Sequence, residues 1–163
     1  MKPTYDNIKL TTGSLINGIC QIQIVPREWL TENINIDFST GKVINEILLE
    51  EGRIWVTIEC TPDSYEFEEK SKVNRAGSYF ETSVQGNINN ATPELLLTLE
   101  TLRNHEIVAI LKDKQRRKKV VGNKDAGLSF RINNKEANTQ GGIQLLSIEL
   151  LMENENLSPF YEI

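Results

Sequence analysis

Residues 92–122 read TPELLLTLETLRNHEIVAILKDKQRRKKVVG, and this stretch decides the fold. Thr92 can cap exposed N–H groups, Pro93 fits the first helical position, and Glu94 suits the positive end of the helix dipole. Leu95, Leu99 and Leu102 follow at spacings of four and three, with Leu96 beside them. A helix over 92–104 therefore carries one apolar stripe that must pack on a sheet or on another subunit. His105 to Lys112 reads as a strand, and Lys112–Lys119 places six basic residues at a turn. Val120–Gly122, Ala126–Ile132 and Ile143–Met152 supply further strands. One helix leading into short strands and polar loops predicts a mainly β domain. It is expected to be a sandwich or partly open barrel with one packed α-helix.

Upstream, alternation is the dominant signal. In Cys20-Gln21-Ile22-Gln23-Ile24 the cysteine and both isoleucines share one face, and the glutamines take the other. The same period sets Ile54, Val56, Ile58 and Cys60 against Arg53, Trp55, Thr57 and Glu59, so Ile54 is expected inside and Trp55 outside. Glu51-Gly52 separates Val43–Glu50 from Arg53–Cys60, and a glycine there can take the positive φ of a tight hairpin. Thr61-Pro62-Asp63-Ser64 breaks the sheet, because proline donates no ladder hydrogen bond. Ser78–Ile88 reads as a strand with Phe80, Thr82 and Val84 in phase. Asn33–Asp37, Gly86–Asn90 and Asn133–Gly142 read as loops. No internal repeat and no break in composition marks a second domain, so residues 1–163 are expected to form one.

Bulk composition bounds the class. A 163-residue chain with 39% apolar and 25% charged residues is globular in character. A domain of this length buries roughly 70% of its extended surface, so it can fold without metal or disulfide staples. Cys20 and Cys60 are the only cysteines, and the strand phase predicts two buried thiols, with a disulfide open if the strands are neighbours. The start, Met1-Lys2-Pro3-Thr4-Tyr5-Asp6, lacks the apolar run of a signal peptide, and no apolar stretch has bilayer-spanning length. An intracellular origin is the expectation, which makes the sequon Asn90-Ala91-Thr92 a chance match.

Patterns for chemistry fail one after another. Thr40-Gly41-Lys42 has the end of a phosphate loop, but the upstream glycine is missing and Val43 replaces the hydroxyl residue, so a turn before a strand is expected. His105 is the only histidine, which excludes multi-histidine metal sites and favours a structural place after the helix. No serine or cysteine occupies a nucleophile-elbow context. Glu59, Asp63, Glu66, Glu68 and Glu69 form an acidic cluster without calcium-loop spacing, and a solvated face accounts for it better than a metal or a hydrolase pair. The chain is expected to have no catalytic residues, no metal and no cofactor.

Charge is the remaining lead. Residues 46–69 hold eight acids against the single base Arg53, whereas Lys114, Arg116, Arg117, Lys118 and Lys119 crowd one turn. The bland account of the turn is a solvated hairpin whose lysines guard an edge. The functional account has the turn docking on the acidic face of another copy, carried by Glu66, Glu68 and Glu69. Trp55, Phe160 and Tyr161 would supply the apolar affinity that exposed ion pairs lack. Nucleic acid is the alternative partner, bound by the turn with Trp55 or Tyr79 as stacking residues. The formal charge of −5 argues against a general nucleic-acid binder.

The second half also carries a resemblance. After the short helix come Val108-Ala109-Ile110-Leu111-Lys112-Asp113, a polar hairpin returning through Val120-Val121-Gly122, then Gly127-Leu128-Ser129-Phe130. A loop ending Gly141-Gly142 and a last strand before Ser158-Pro159-Phe160-Tyr161 complete it. In order and character residues 92–161 resemble small phage and prophage structural proteins of the tail and neck region. The resemblance implies a non-enzymatic β-sandwich or β-barrel subunit that builds a homo-oligomeric ring or tube and docks to other virion proteins. Its place would be the virion, or the host cytoplasm during assembly, with no membrane partner.

Overall fold

The computed structural model describes residues 18–89, 91–135 and 145–162. Strands β1 (Ile19–Pro26), β4 (Val56–Ile58), β7 (Ile107–Asp113) and β8 (Lys118–Val121) form one antiparallel sheet in the order β4-β1-β7-β8. Strands β5 (Glu66–Asn74), β6 (Gly77–Asn89), β9 (Ser129–Lys135) and β10 (Leu145–Asn154) form a second in the order β5-β6-β10-β9. The short pair β2 (Ile36–Asp37) and β3 (Lys42–Val43) makes a third. The one α-helix among the described residues, α1 (Pro93–Leu102), links β6 to β7. The fold is therefore mainly β, a sandwich with one packed helix.

Strand β7 explains the layering. Ile107, Val108, Ala109, Ile110 and Leu111 are consecutive and all buried, which a strand achieves only when both of its faces are covered. Ile107, Ala109 and Leu111 join Ile22, Ile24, Ile58 and Val121 against the second sheet, which contributes Val84, Ile88, Phe130, Leu146, Ile148 and Leu150. Val108 and Ile110 point the other way, with Val25 and Val120, into a second core made with Leu30, Ile34, Val43, Ile47 and Tyr161. That cover is the excursion between β1 and β4, drawn together by Thr31 N–H to Leu48 O, Ile44 N–H to Asn35 O and Glu50 N–H to Trp29 O.

The helix forms where the sequence places it. The Thr92 hydroxyl accepts the Leu95 N–H, Pro93 opens the first turn, and Leu99 and Leu102 are buried in the larger core. Leu95 and Leu96 pack at its margin, whereas Leu97 remains exposed. The second sheet shows plain alternation. Thr82, Val84, Gly86 and Ile88 of β6 are buried, and its other face carries hydrogen bonds from Gln85 to Glu149 and from Ser147 to Asn87. Gly86 has a packing reason, since a Cβ there would stand 2.5 Å from Cys60 Sγ.

Several expectations need correcting. The strand foreseen over Arg53–Cys60 is only Val56–Ile58. Its phase holds at Val56 and Ile58, but Ile54 is 74% exposed and Trp55 is half-buried against the second core. Trp55 faces a layer of its own chain that alternation could not anticipate. The turn at Gly52 is real, with φ 77 and an Arg53 N–H to Glu50 O bond, yet no hairpin forms, because β4 pairs with β1. Gly86–Asn89 is strand rather than loop, and Glu66, Glu68 and Glu69, expected on a solvated acidic face, lie on strand β5, Glu66–Asn74. The register shifts between Ile19 and Gln21, so Cys20 is exposed instead of buried. Residues 1–6, Asn90 and 136–144, which carry some of these expectations, lie outside the described residues.

Leu99 has no exposed surface. Leu99→Ala is expected to cost about 2–5 kcal/mol through lost burial and the cavity left behind, read as a fall in the denaturant midpoint at unchanged m-value.

Candidate interaction surface

The basic turn is built around one carboxylate. Between β7 and β8 the Arg116 N–H donates to Asp113 O and the Asp113 N–H to Arg117 O, each at 3.0 Å, with Arg116 in the left-handed region at φ 66. The buried Asp113 side chain accepts the N–H groups of Gln115 at 2.8 Å and Arg117 at 2.9 Å, and Arg117 Nε at 2.8 Å. An aspartate at the first position of a turn does this because its short side chain reaches the backbone two residues on. The crowded cations are thus held in shape by an acid within the same segment.

The acidic stretch lies beside that turn. Lys114 Nζ is 3.0 Å from Asp63 Oδ1, an exposed pair. Lys119 Nζ is 3.3 Å from Glu69 Oε2, and here the side chains are only 15% and 8% exposed. The ammonium also stands 5.1 Å from the ring centroids of Phe67 and Phe160, a favourable place for a cation. Glu69 Oε1 accepts the Ser158 N–H at 2.7 Å and the Ser158 hydroxyl at 2.6 Å. Glu69 and Lys119 together rivet the segment 158–161 between the two large sheets. Within one copy Arg117 pairs with Asp113, Lys114 with Asp63 and Lys119 with Glu69. Asp63 and Glu69 of the acidic stretch therefore lie beside the basic turn of their own copy.

The other candidates scatter. Glu66 and Glu68 are exposed on the outer face of β5, with Glu68 2.9 Å from Lys70. Tyr161 is buried in the second core, where its hydroxyl accepts the Ile47 N–H at 3.5 Å. Phe160 is half-buried and bridges Lys42 and Lys119, so the chain end covers the free edge of β8. Tyr79 sits on β6 opposite Lys72, in the sheet that does not carry the basic turn. One open groove of ≈ 690 Å³ gathers Lys42, Arg116, Arg117 and Lys118 with Phe160, Tyr161 and Glu162. Sequence reasoning missed Lys42, Asp113 and Ser158. Asp113 alone left a signal, as an aspartate opening a polar turn.

The remaining titratable groups have ordinary roles. His105 Nδ1 lies 3.2 Å from Glu28 Oε1. Thr40-Gly41-Lys42 is a turn leading into β3, in which Ser39 and Thr40 donate to Asp37 and hold its carboxyl below the usual range. Among the described residues no three His, Cys, Asp or Glu side chains converge as a metal site, and no helix is long and apolar enough to cross a membrane. Comparison with known protein families, characterised proteins and solved structures returns no match.

Cys20 and Cys60 are free thiols, the first exposed. Burial pushes the Cys60 thiol from 9.0 up to about 11. Cys60 is half-buried rather than buried, and a thiol of this kind favours folding while it is protonated, so its contribution is complete below pH 9 and is lost as the pH rises toward 11. At pH 8 a thiol reagent is expected to modify Cys20 promptly and Cys60 only on unfolding. Two equally fast thiols in the folded chain would contradict the packing of Cys60 on Gly86.

Glu69→Ala is expected to cost about 3–5 kcal/mol, because it strands Lys119 and two donors of Ser158 in a nearly closed site. Pairing Glu69→Leu with Lys119→Met should recover much of that loss, and a double-mutant cycle in denaturant measures the coupling.

Proposed function

We propose that this chain is a non-enzymatic structural subunit of a phage-like tail or neck assembly, working by self-association and by docking to other virion proteins. The observation that carries this reading is the outer part of the β5–β6 hairpin. Strand β10 ends opposite Phe80, so among the described residues 71–79 form a two-stranded ribbon with no third strand, and residues 70–78 are all exposed. An isolated two-stranded ribbon is marginal in water, and its unpaired edges are templates for another chain. A projecting arm of this kind suits a subunit that joins copies into a ring or tube. The order of elements over 92–161, which resembles tail and neck proteins, supports the same reading. Its setting would be the virion, or the host cytoplasm during assembly.

Nucleic-acid binding is a second reading, favoured by the groove in which Lys42, Arg116 and Lys118 stand beside Phe160. Stacking would then fall to Phe160, because Trp55 is engaged in the second core.

Size measurement by multi-angle light scattering across a concentration series separates the two. Self-association predicts a mass that grows with concentration. It also predicts a folded monomer when residues 72–79 are replaced by an Asn-Gly turn. A strict monomer that binds single-stranded DNA, with affinity falling steeply in salt, would overturn the structural reading in favour of the second.

A further inference from the structure

We propose that the outer edge of β5 is a homotypic interface, on which a second copy of this chain adds its own β5 antiparallel about a twofold axis at Glu69. The proposal rests on the self-association reading and specifies its geometry. Strand β5 is the edge of the second sheet, hydrogen-bonded to β6 on one side only. Among the described residues none of its backbone groups bonds to any other segment. Nine residues long, it could extend the sheet into a continuous one of eight strands across the two copies.

Charge order selects the partner and the register. The outer face of β5 presents Glu66, Glu68, Lys70 and Lys72 in sequence, all exposed. Side chains directly opposite each other in an antiparallel pair share a face. With Glu69 on the axis, Glu66 of one copy meets Lys72 of the other and Glu68 meets Lys70, with the symmetric pairs repeated. No like charges face each other on that side. Shifting the pairing by two residues brings Glu68 against Glu68 or Lys70 against Lys70. A parallel in-register pairing opposes every charge to its like. Charged edge strands ordinarily repel added strands. Here the acids fill the first half and the bases the second, so the same charges disfavour each of these alternatives and favour one twofold arrangement. On the inner face the two Glu69 residues meet at the axis, and each carboxylate is already occupied by Lys119 and Ser158 of its own copy.

Two charge-reversed variants test this by sedimentation velocity. K70E/K72E makes the edge wholly acidic, and E66K/E68K makes it wholly basic. All four positions are exposed, so circular dichroism should show both variants folded. Each variant alone is expected to associate more weakly than the wild type by roughly tenfold or more. An equimolar mixture should restore a dimer, because acidic and basic edges then face each other throughout. Wild-type association should also weaken as salt rises. If the wild type associates and each variant alone does so equally well, the β5 interface is overturned while self-association stands. If the mixture fails to recover the dimer, pairing along the β5 edge is overturned. A wild type that stays monomeric at every concentration would remove both the interface and the reading on which it rests.

Discussion

Everything in this molecule is arranged around a strand that has two apolar faces. Five successive buried residues, Ile107 to Leu111, leave β7 no side on which to meet water. One face is satisfied by the second sheet and the helix, the other by the irregular excursion between β1 and β4. Fully burying a side chain of this size is worth about 1.5–3 kcal/mol, so leaving either face open would forfeit several such contributions at once. The short β2–β3 pair, the turn at Gly52 and the half-burial of Trp55 all follow from the need for that second cover.

The chain end closes the same sheet at its edge. Val120 N–H bonds to Pro159 O and Tyr161 N–H to Lys118 O, so β8 offers little free backbone to a neighbour there. What holds the segment is polar as well as apolar. Glu69 reaches it from β5 and accepts from Ser158, and Lys119 reaches it from β8 and stands over Phe160. A carboxylate so enclosed is tolerable because its partners are donors of fixed position, an ammonium, a hydroxyl and a backbone N–H. The cluster joins the two large sheets and the segment 158–161 through side chains from three stretches distant in sequence.

This arrangement changes where partners can approach. The basic turn is partly neutralised from within by Asp63, Asp113 and Glu69, and its residual positive surface is the groove beside Lys42. Among the described residues, by contrast, the β5 edge of the second sheet has no paired neighbour, and β5 carries charged side chains on its outer face. Exposed ion pairs contribute little individually, whereas a backbone ladder adds hydrogen bonds at every second residue. Association is therefore better served by the β5 edge, with its charges setting partner and register, than by the basic turn.

Much was legible in the sequence wherever the cause is local. The cap and proline at Thr92-Pro93 and the leucine spacing located the helix. The run His105–Lys112 located β7, and the phase of Phe80, Thr82 and Val84 located the buried face of β6. The aspartate and basic run marked the turn, and Thr61-Pro62 ended a strand. Each of these is set by backbone conformation and by the period of a single element. Only the tertiary structure decided the rest. Glu66–Asn74 lacks the hydrophobic alternation of a half-buried strand, and it becomes one because β6 offers it a long edge. Trp55 and Ile54 exchanged exposure because a second layer covers the face that alternation assigns to water. Cys20 turned outward through a shift in pairing that no residue type signals. Glu69 and Lys119, two charges among many in the sequence, became a buried pair because β5, β8 and the chain end converge, and convergence of distant segments leaves no periodic trace along a chain.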